Sequence, residues 1–361
     1  MKRITLAQVG VGTVGGAVVE QVIACRPVWK RTLGLDVAVG AIIRRSGATV
    51  EPEGLSDTGL RQLLGERREG VSSGETSPDS ALDQLLSRGP VIVMDAGSDE
   101  ATASLDAQAI AGGGGAVLSN KAPLALPLDD ERSKVLWAAS GRTGSLRYEA
   151  TCGAGLPVIS TLRNLLDTGD ELLEISGTLS GTFGAIFSDV GSGSRFSDAV
   201  RSARDRGYTE PDPRDDLSGL DVARKGLILA RTMGEEIDLS DIGVHSLVPA
   251  HLQDVGVDEF LDQIGASDMA IDRQTSEALA TDTSLKYLMH WERGSPVQVG
   301  LRQVPRSTVL GSLQGPENIV SFRTVRYNQY PCVVSGPGAG AEVTAAGMIA
   351  DLLDLSLRLA R

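Results

Sequence analysis

The stretch Gly207-Tyr208-Thr209-Glu210-Pro211-Asp212-Pro213-Arg214-Asp215-Asp216-Leu217-Ser218-Gly219-Leu220-Asp221-Val222-Ala223-Arg224-Lys225 concentrates the groups most able to do chemistry. Its two prolines stiffen a loop dense in carboxylates. Asp215 or Asp216 then stands where it caps a helix beginning near Leu217. On that helix Asp221 and Lys225 are spaced i and i+4, hence neighbours on one face. Leu217, Leu220, Val222, Leu227, Ile228 and Leu229 reach almost right round it, the pattern of a buried helix. Charges buried there must be paired or have a job. Carboxylates such as Glu210 and Asp221 can hold an ammonium, and a lysine beside them can give or take a proton at a carbonyl oxygen. The competing reading is an ion pair that staples the helix.

A second cluster is made of glycines. Gly10-Val11-Gly12-Thr13-Val14-Gly15 follows an apolar run and opens a helical one. In a dinucleotide site the first glycine makes a tight turn, the second admits a pyrophosphate to the backbone, and the third lets helix and strand pack closely. The helix N-terminus adds N–H groups and a positive dipole end. Asp36 has the spacing of a ribose-binding acid but precedes the second strand. At that strand's carboxyl end stand Arg44-Arg45-Ser46. No acid is there for a 2′-hydroxyl, and arginine suits a 2′-phosphate, so Arg44 favours NADP, with NAD the alternative. Ser98 and Lys121 follow two further buried runs, so both are expected to face the nicotinamide half of the cofactor.

To position these groups the chain must supply strands that end in turns. Ile4–Val9, Val37–Ile43, Val91–Asp95 and Ala116–Leu118 read as strands; Thr13 to about Arg31 and Ala101–Ala111 read as helices. Such alternation implies a parallel sheet covered on both faces. Glu51–Ser80 is polar and reads as a surface insertion with one short helix around Leu60–Gly65. From about Glu149 the texture changes, with strands expected at Leu172–Leu179, Val297–Val304 and Cys332–Ser335, a charged loop at Arg204–Asp216, and a tail helix from Val343 to Ala360.

Composition removes several classes. The 361 residues suffice for two or three domains. A formal charge of −13 without a basic tract argues against a nucleic-acid partner. No apolar run reaches the ~18 residues of a membrane span, and the N-terminus lacks the pattern of a signal peptide, so a cytoplasmic location is expected. Cys25, Cys152 and Cys332 are too scattered for a disulfide framework, and three histidines make no metal-binding spacing.

The 207–225 segment resembles homoserine dehydrogenase, as do Ser119-Asn120-Lys121, Glu149-Ala150-Thr151-Cys152-Gly153-Ala154-Gly155-Leu156-Pro157, Ser176-Gly177-Thr178-Leu179-Ser180-Gly181-Thr182 and Gly336-Pro337-Gly338-Ala339-Gly340-Ala341-Glu342-Val343-Thr344. The matches run in order over nearly the whole chain and point to the short form, without a C-terminal regulatory domain. The resemblance implies an α/β fold: a Rossmann-type doubly wound parallel sheet over residues 1–148, an α+β catalytic and dimerisation domain with a mixed sheet over 149–335, and a segment 336–361 returning to the first domain. It implies NAD(P)H-dependent reduction of L-aspartate 4-semialdehyde to L-homoserine, a step towards threonine and methionine, by a homodimer. Lys225 becomes the acid/base, with Lys121 and Asp221 also catalytic. Glu210, Asp221, Gly207, Thr178, Tyr208 and Asp216 would meet the substrate. Gly338, Gly340 and Thr344 would join the glycine turn, Arg44, Ser98 and Lys121 at the cofactor. Backbone carbonyls of Glu149, Cys152, Ala154 and Leu156 would hold a monovalent cation, sodium in the first instance. Two departures stand out: Ala96-Gly97 replaces an expected Thr- or Asn-bearing strand end, and Cys152 replaces a small aliphatic residue. Two other activities compete, a paralogue acting on another amino-acid semialdehyde and a thiol-dependent semialdehyde dehydrogenase using Cys152.

Overall fold

The computed structural model describes residues 1–68 and 76–359. In chain order the elements are β1 (Lys2–Val9), α1 (Thr13–Thr32), β2 (Leu35–Arg44), β3 (Gly47–Val50), α2 (Asp57–Arg68), α3 (Pro78–Leu86), β4 (Val91–Asp95), α4 (Ala103–Ala111), β5 (Gly115–Leu118), α5 (Glu131–Ala138), β6 (Leu146–Arg147) and α6 (Val158–Asp167). There follow β7 (Leu172–Thr178), α7 (Gly181–Gly191), α8 (Phe196–Asp205), α9 (Pro213–Leu217), α10 (Leu220–Thr232), β8 (Gly243–Val244), α11 (Val257–Gln263), α12 (Asp268–Ala280), β9 (Thr283–Glu292), β10 (Gln298–Pro305), α13 (Val309–Ser312), β11 (Glu317–Thr324), β12 (Cys332–Pro337) and α14 (Ala341–Leu359). Two compact units result, one running to Ile159 and resuming from Ala339, the other Ser160–Gly338.

The first unit holds a sheet ordered β3-β2-β1-β4-β5-β6. All its pairings are parallel except β2 with β3. All five residues of β4 are buried, as a central strand covered on both faces must be. Val22, Met348 and Leu352 of α1 and α14 belong to one apolar cluster, and Leu82, Leu85, Leu105 and Ala109 of α3 and α4 to another. The register sets Val9 beside Asp95 and Asp95 beside Leu118, which brings three strand ends to one edge. The insertion expected over 51–80 is more regular than its composition suggests: α2 spans 12 residues and α3 begins at Pro78 with Ser77 as its cap. Part of that stretch lies outside the described residues.

The second unit holds a sheet ordered β12-β11-β7-β9-β10-β8, antiparallel except between β10 and β8. Its helix α10 starts where it does for two reasons. Gly219 has a left-handed φ of 77°, and a Cβ there would lie 2.0 Å from the Tyr287 hydroxyl. Tyr287 is itself held, stacked on Phe183 with centroids 3.7 Å apart and donating to the His245 carbonyl. Further along, Gly226 lets α10 pack against Met289 of β9. The expected cap is corrected here. The helix that carries Asp221 and Lys225 starts at Leu220 with Gly219 as its N-cap and no side-chain cap, while Asp215 and Asp216 lie within the short α9, which Asp212 caps by accepting the Arg214 N–H. No helix among the described residues is long and apolar enough to cross a membrane.

Candidate active site

In the first unit the glycine turn is forced by contact. Gly10 has φ +72°, and a Cβ there would meet the Ala96 carbonyl at 2.7 Å. A Cβ on Gly15 would lie 2.0 Å from the Gly10 carbonyl. Gly12 differs, because nothing lies within 4 Å of where its Cβ would be. Gly12 is also the N-cap of α1, without a side-chain cap and with no acid in the first turn. The turn therefore offers open space in front of uncompensated N–H groups, with Val11 buried and Thr13 and Val14 on the opening turn. The buried Gln8 amide donates to the Val9 and Gly10 carbonyls and holds the loop.

The neighbouring strand ends are locked by a network that reading the sequence missed. Asp95, fully buried, accepts from the Gly97 N–H at 2.7 Å, the Thr102 hydroxyl at 2.7 Å and the Asn120 amide at 3.1 Å. Asn120 also donates to the Asp99 carbonyl and accepts the Ala122 N–H. One carboxylate thus fixes both the turn that carries Ser98, which is exposed, and the turn that carries Lys121, which is half-buried. Burial raises the Asp95 carboxyl, and these hydrogen bonds pull it back. Asp106 is pushed well above the carboxylate range by burial and by Asp95. The available signal was an acid ending an otherwise apolar strand, which the sequence reading passed over. This lattice also accounts for the departure at Ala96-Gly97: a Cβ on Gly97 would lie 2.9 Å from the Asp95 carboxylate.

The two arginines at the end of β2 divide. Arg44 is half-buried and donates to the Leu63 carbonyl at 2.5 Å, and its Nε is buried without a hydrogen-bond partner. Arg45 is exposed and paired with Asp99 at 2.6 Å. Asp36, as expected from its place, pairs with Lys30, away from the strand's carboxyl end. Gly340 has φ +126°, and its carbonyl accepts both the N–H and the hydroxyl of Thr344 at the start of α14. Gly338 closes the second unit, where a Cβ would collide with the Asn318 amide.

The loop after Tyr148 turns sharply through Gly153 and Ala154, with φ of 101° and 55°. The Glu149 carboxylate accepts the Ile159 N–H at 2.6 Å. Its carbonyl accepts the Cys152 N–H, and that of Leu156 accepts the Val158 N–H. Asp351 donor–acceptor geometry ties this loop to α14, its carboxylate accepting the Glu149 N–H at 2.8 Å. Burial and the Glu149 charge push the Asp351 carboxyl up to about 7. Cys152 is fully buried, which counts against the competing reading of it as a thiol nucleophile.

In the second unit Lys225 is buried on α10. Its Nζ donates to the Leu179 carbonyl at 2.6 Å and pairs with Asp221 at 2.7 Å. Asp221 is less buried than its helix implied, with 45% of its side chain exposed, so one edge of the pair is accessible. Beside it Asp216 accepts the Thr182 hydroxyl at 2.8 Å and the Glu210 N–H at 2.8 Å. Burial, then the charges of Asp221 and Asp215, raise the Asp216 carboxyl. Asp216 thereby sets the course of the backbone at Glu210, whose carboxylate is exposed. Gly207 makes an exposed left-handed turn, and Tyr208 lies under the Arg206 guanidinium at 5.1 Å. Arg214 anchors the loop, donating to the Leu252, Gln253 and Val255 carbonyls. Lys225, Asp221, Asp216 and Glu210 are thus brought together. Thr178, expected to line the pocket, is buried at the end of β7, one residue before the Leu179 carbonyl that Lys225 meets, and its hydroxyl accepts the Ile319 N–H.

Comparison with known proteins gives a consistent picture. Residues 157–353 match the homoserine dehydrogenase family model, and residues 10–149 match the NAD-binding domain of homoserine dehydrogenase. The homoserine dehydrogenase of Saccharomyces cerevisiae is 34% identical over 370 residues, covering 99% of both chains. A bifunctional aspartokinase/homoserine dehydrogenase of Zea mays is 38% identical over 99% of this chain, which spans only 39% of that protein's length. A Candida auris protein of unknown function superposes with a TM-score of 0.87 at 31% identity, covering 98% of each chain. An archaeal homoserine dehydrogenase solved with NADPH shares the fold, with a TM-score of 0.73 at 21% identity over 99% of this chain and 98% of the other.

Proposed function

This chain belongs to the homoserine dehydrogenase family, and from that premise we propose that it reduces L-aspartate 4-semialdehyde to L-homoserine with NADPH, or with NADH as the alternative. The observation that carries this reading is the buried Lys225 ammonium held between the Leu179 carbonyl and Asp221. A lysine so fixed is a positioned proton donor for the oxygen of a bound aldehyde. Bound nicotinamide nucleotide supplies the hydride for the aldehyde carbon. Lys225 gives its proton to the developing alkoxide, and Asp221 keeps the ammonium in place. The exposed Glu210 carboxylate and the open edge of Asp221 receive the substrate's amino group, Asp216 orients Glu210, and Gly207, Tyr208 and Thr178 shape the surroundings.

For the cofactor, the open N-terminus of α1 suits a pyrophosphate, and the Asp95–Asn120 lattice holds the turns bearing Ser98 and Lys121. No acid directly follows the second strand in sequence, and Arg44 stands at its carboxyl end, which favours a 2′-phosphate, although Arg45 is paired with Asp99. A monovalent cation, sodium first, would be held by the backbone carbonyls of Glu149, Cys152, Ala154 and Leu156 in the sharply turning loop, as the family resemblance implies. The working form is a cytoplasmic homodimer. The test follows the absorbance of NADPH, and separately NADH, with L-aspartate 4-semialdehyde in sodium and in potassium buffers. Rapid oxidation is expected, faster with NADPH. No oxidation while nucleotide still binds would discard homoserine and favour another amino-acid semialdehyde.

A further inference from the structure

A cavity of about 430 Å³ lies wholly in the second unit, apart from the Lys225 cluster. It is bounded by the C-terminal ends of α7 and α12, the start of β9 and the loop 311–315. Lys286 lines it. Only 9% of Lys286 is exposed, and its Nζ donates to the Leu313 carbonyl at 2.5 Å. None of the residues lining the cavity is Asp, Glu or His, and the one other charged group among them is the Arg306 guanidinium. Burial first, and then the Arg306 charge, hold the Lys286 ammonium below the ordinary lysine range, with no carboxylate acting against them. A single carbonyl leaves most of such a cation unsatisfied, and buried charges otherwise come paired. The deep wall of this cavity thus carries an ammonium with no lining carboxylate beside it.

We propose that the cavity is a binding site for a small organic carboxylate, its anionic group on Lys286 Nζ and its apolar body against Phe187, Val190, Leu279 and Leu313. The volume lies in the range of small-molecule sites, roughly 300–1,000 Å³. One buried ammonium matches one negative charge, because Arg306 is exposed and screened by water. The apolar side chains favour a ligand with a hydrocarbon body over inorganic phosphate.

The probe is butyrate, titrated into the full chain with chloride and phosphate as controls at equal ionic strength, read by melting temperature and calorimetry. A saturable rise in Tm with butyrate is expected, absent with either control. Lys286→Met should weaken butyrate binding at least tenfold. Leu279→Trp, which fills the rim and leaves the Lys286 bond alone, should do the same, and covers the case in which Lys286→Met does not fold. Dehydrogenase activity without butyrate should be unchanged in both. Absence of a butyrate response in the unsubstituted protein, an equal response in both variants, or a phosphate response without a butyrate one would each overturn the proposal. A Tm that rises with protein concentration in the unsubstituted chain but not in Lys286→Met would also overturn it, by assigning the anion to a second copy.

Discussion

Lys225 and Lys286 are both buried in the second unit, and each donates to a backbone carbonyl, Leu179 at 2.6 Å and Leu313 at 2.5 Å. They differ in the counter-ion. Lys225 has Asp221 at 2.7 Å on the preceding turn of its own helix, with Asp216 close enough to Asp221 to feel its charge. Lys286 sits on a strand, where its sequence neighbours point to the other face, and the cavity beside it holds no carboxylate. The lesson concerns geometry: a helix delivers a partner one turn away, whereas a strand residue must find its partner across the fold or from outside it. On the proposed readings the first lysine holds and passes a proton, and the second attracts an anion.

The contrast can be broken at several points. The largest effect is expected for Lys225→Ala, which should lower turnover by about 10³-fold, the scale of a lost general acid. Fluorescence titration should find nucleotide binding intact, and unchanged turnover would remove Lys225 from the chemistry. Asp221→Asn takes the counter-ion from Lys225 and makes it resemble Lys286. Turnover should fall roughly 10- to 100-fold, or about 1.4–2.8 kcal/mol in the barrier, while nucleotide affinity holds. Glu210→Ala should raise the substrate KM about tenfold with a much smaller change in kcat; a defect confined to cofactor affinity would contradict its place at the amino group.

The smallest effect is a difference in pH dependence. Because the Lys286 ammonium is held below the ordinary lysine value of 10.5, the folded chain binds fewer protons there than the unfolded chain between its lowered value and 10.5. Stability from this group therefore rises with pH across that interval. The Tm of the unsubstituted protein minus that of Lys286→Met should climb as pH increases through it, and saturating butyrate should flatten the climb. A difference independent of pH without butyrate would mean that Lys286 is already compensated.

The sequence by itself determined what depends on neighbours along the chain. The glycine turn was legible because Gly10, Gly12 and Gly15 act through backbone shape, which spacing encodes directly. The Asp221–Lys225 pair was legible because helical periodicity makes such residues neighbours. Tertiary structure decided the rest. Strands β9 and β11 escaped notice, since β9 has a near-continuous buried run that breaks the alternation of a half-exposed strand. The Thr178 hydroxyl accepts the N–H of Ile319, far along the chain, because β7 and β11 pair. Asp95 and Asn120 meet only when β4 and β5 pair in register, and Lys286 meets its cavity only where α7, α12 and the loop 311–315 close around β9. Local spacing carries information about turns and single helices; contacts between distant segments depend on which strands pair, and that is settled by the burial of the whole sheet.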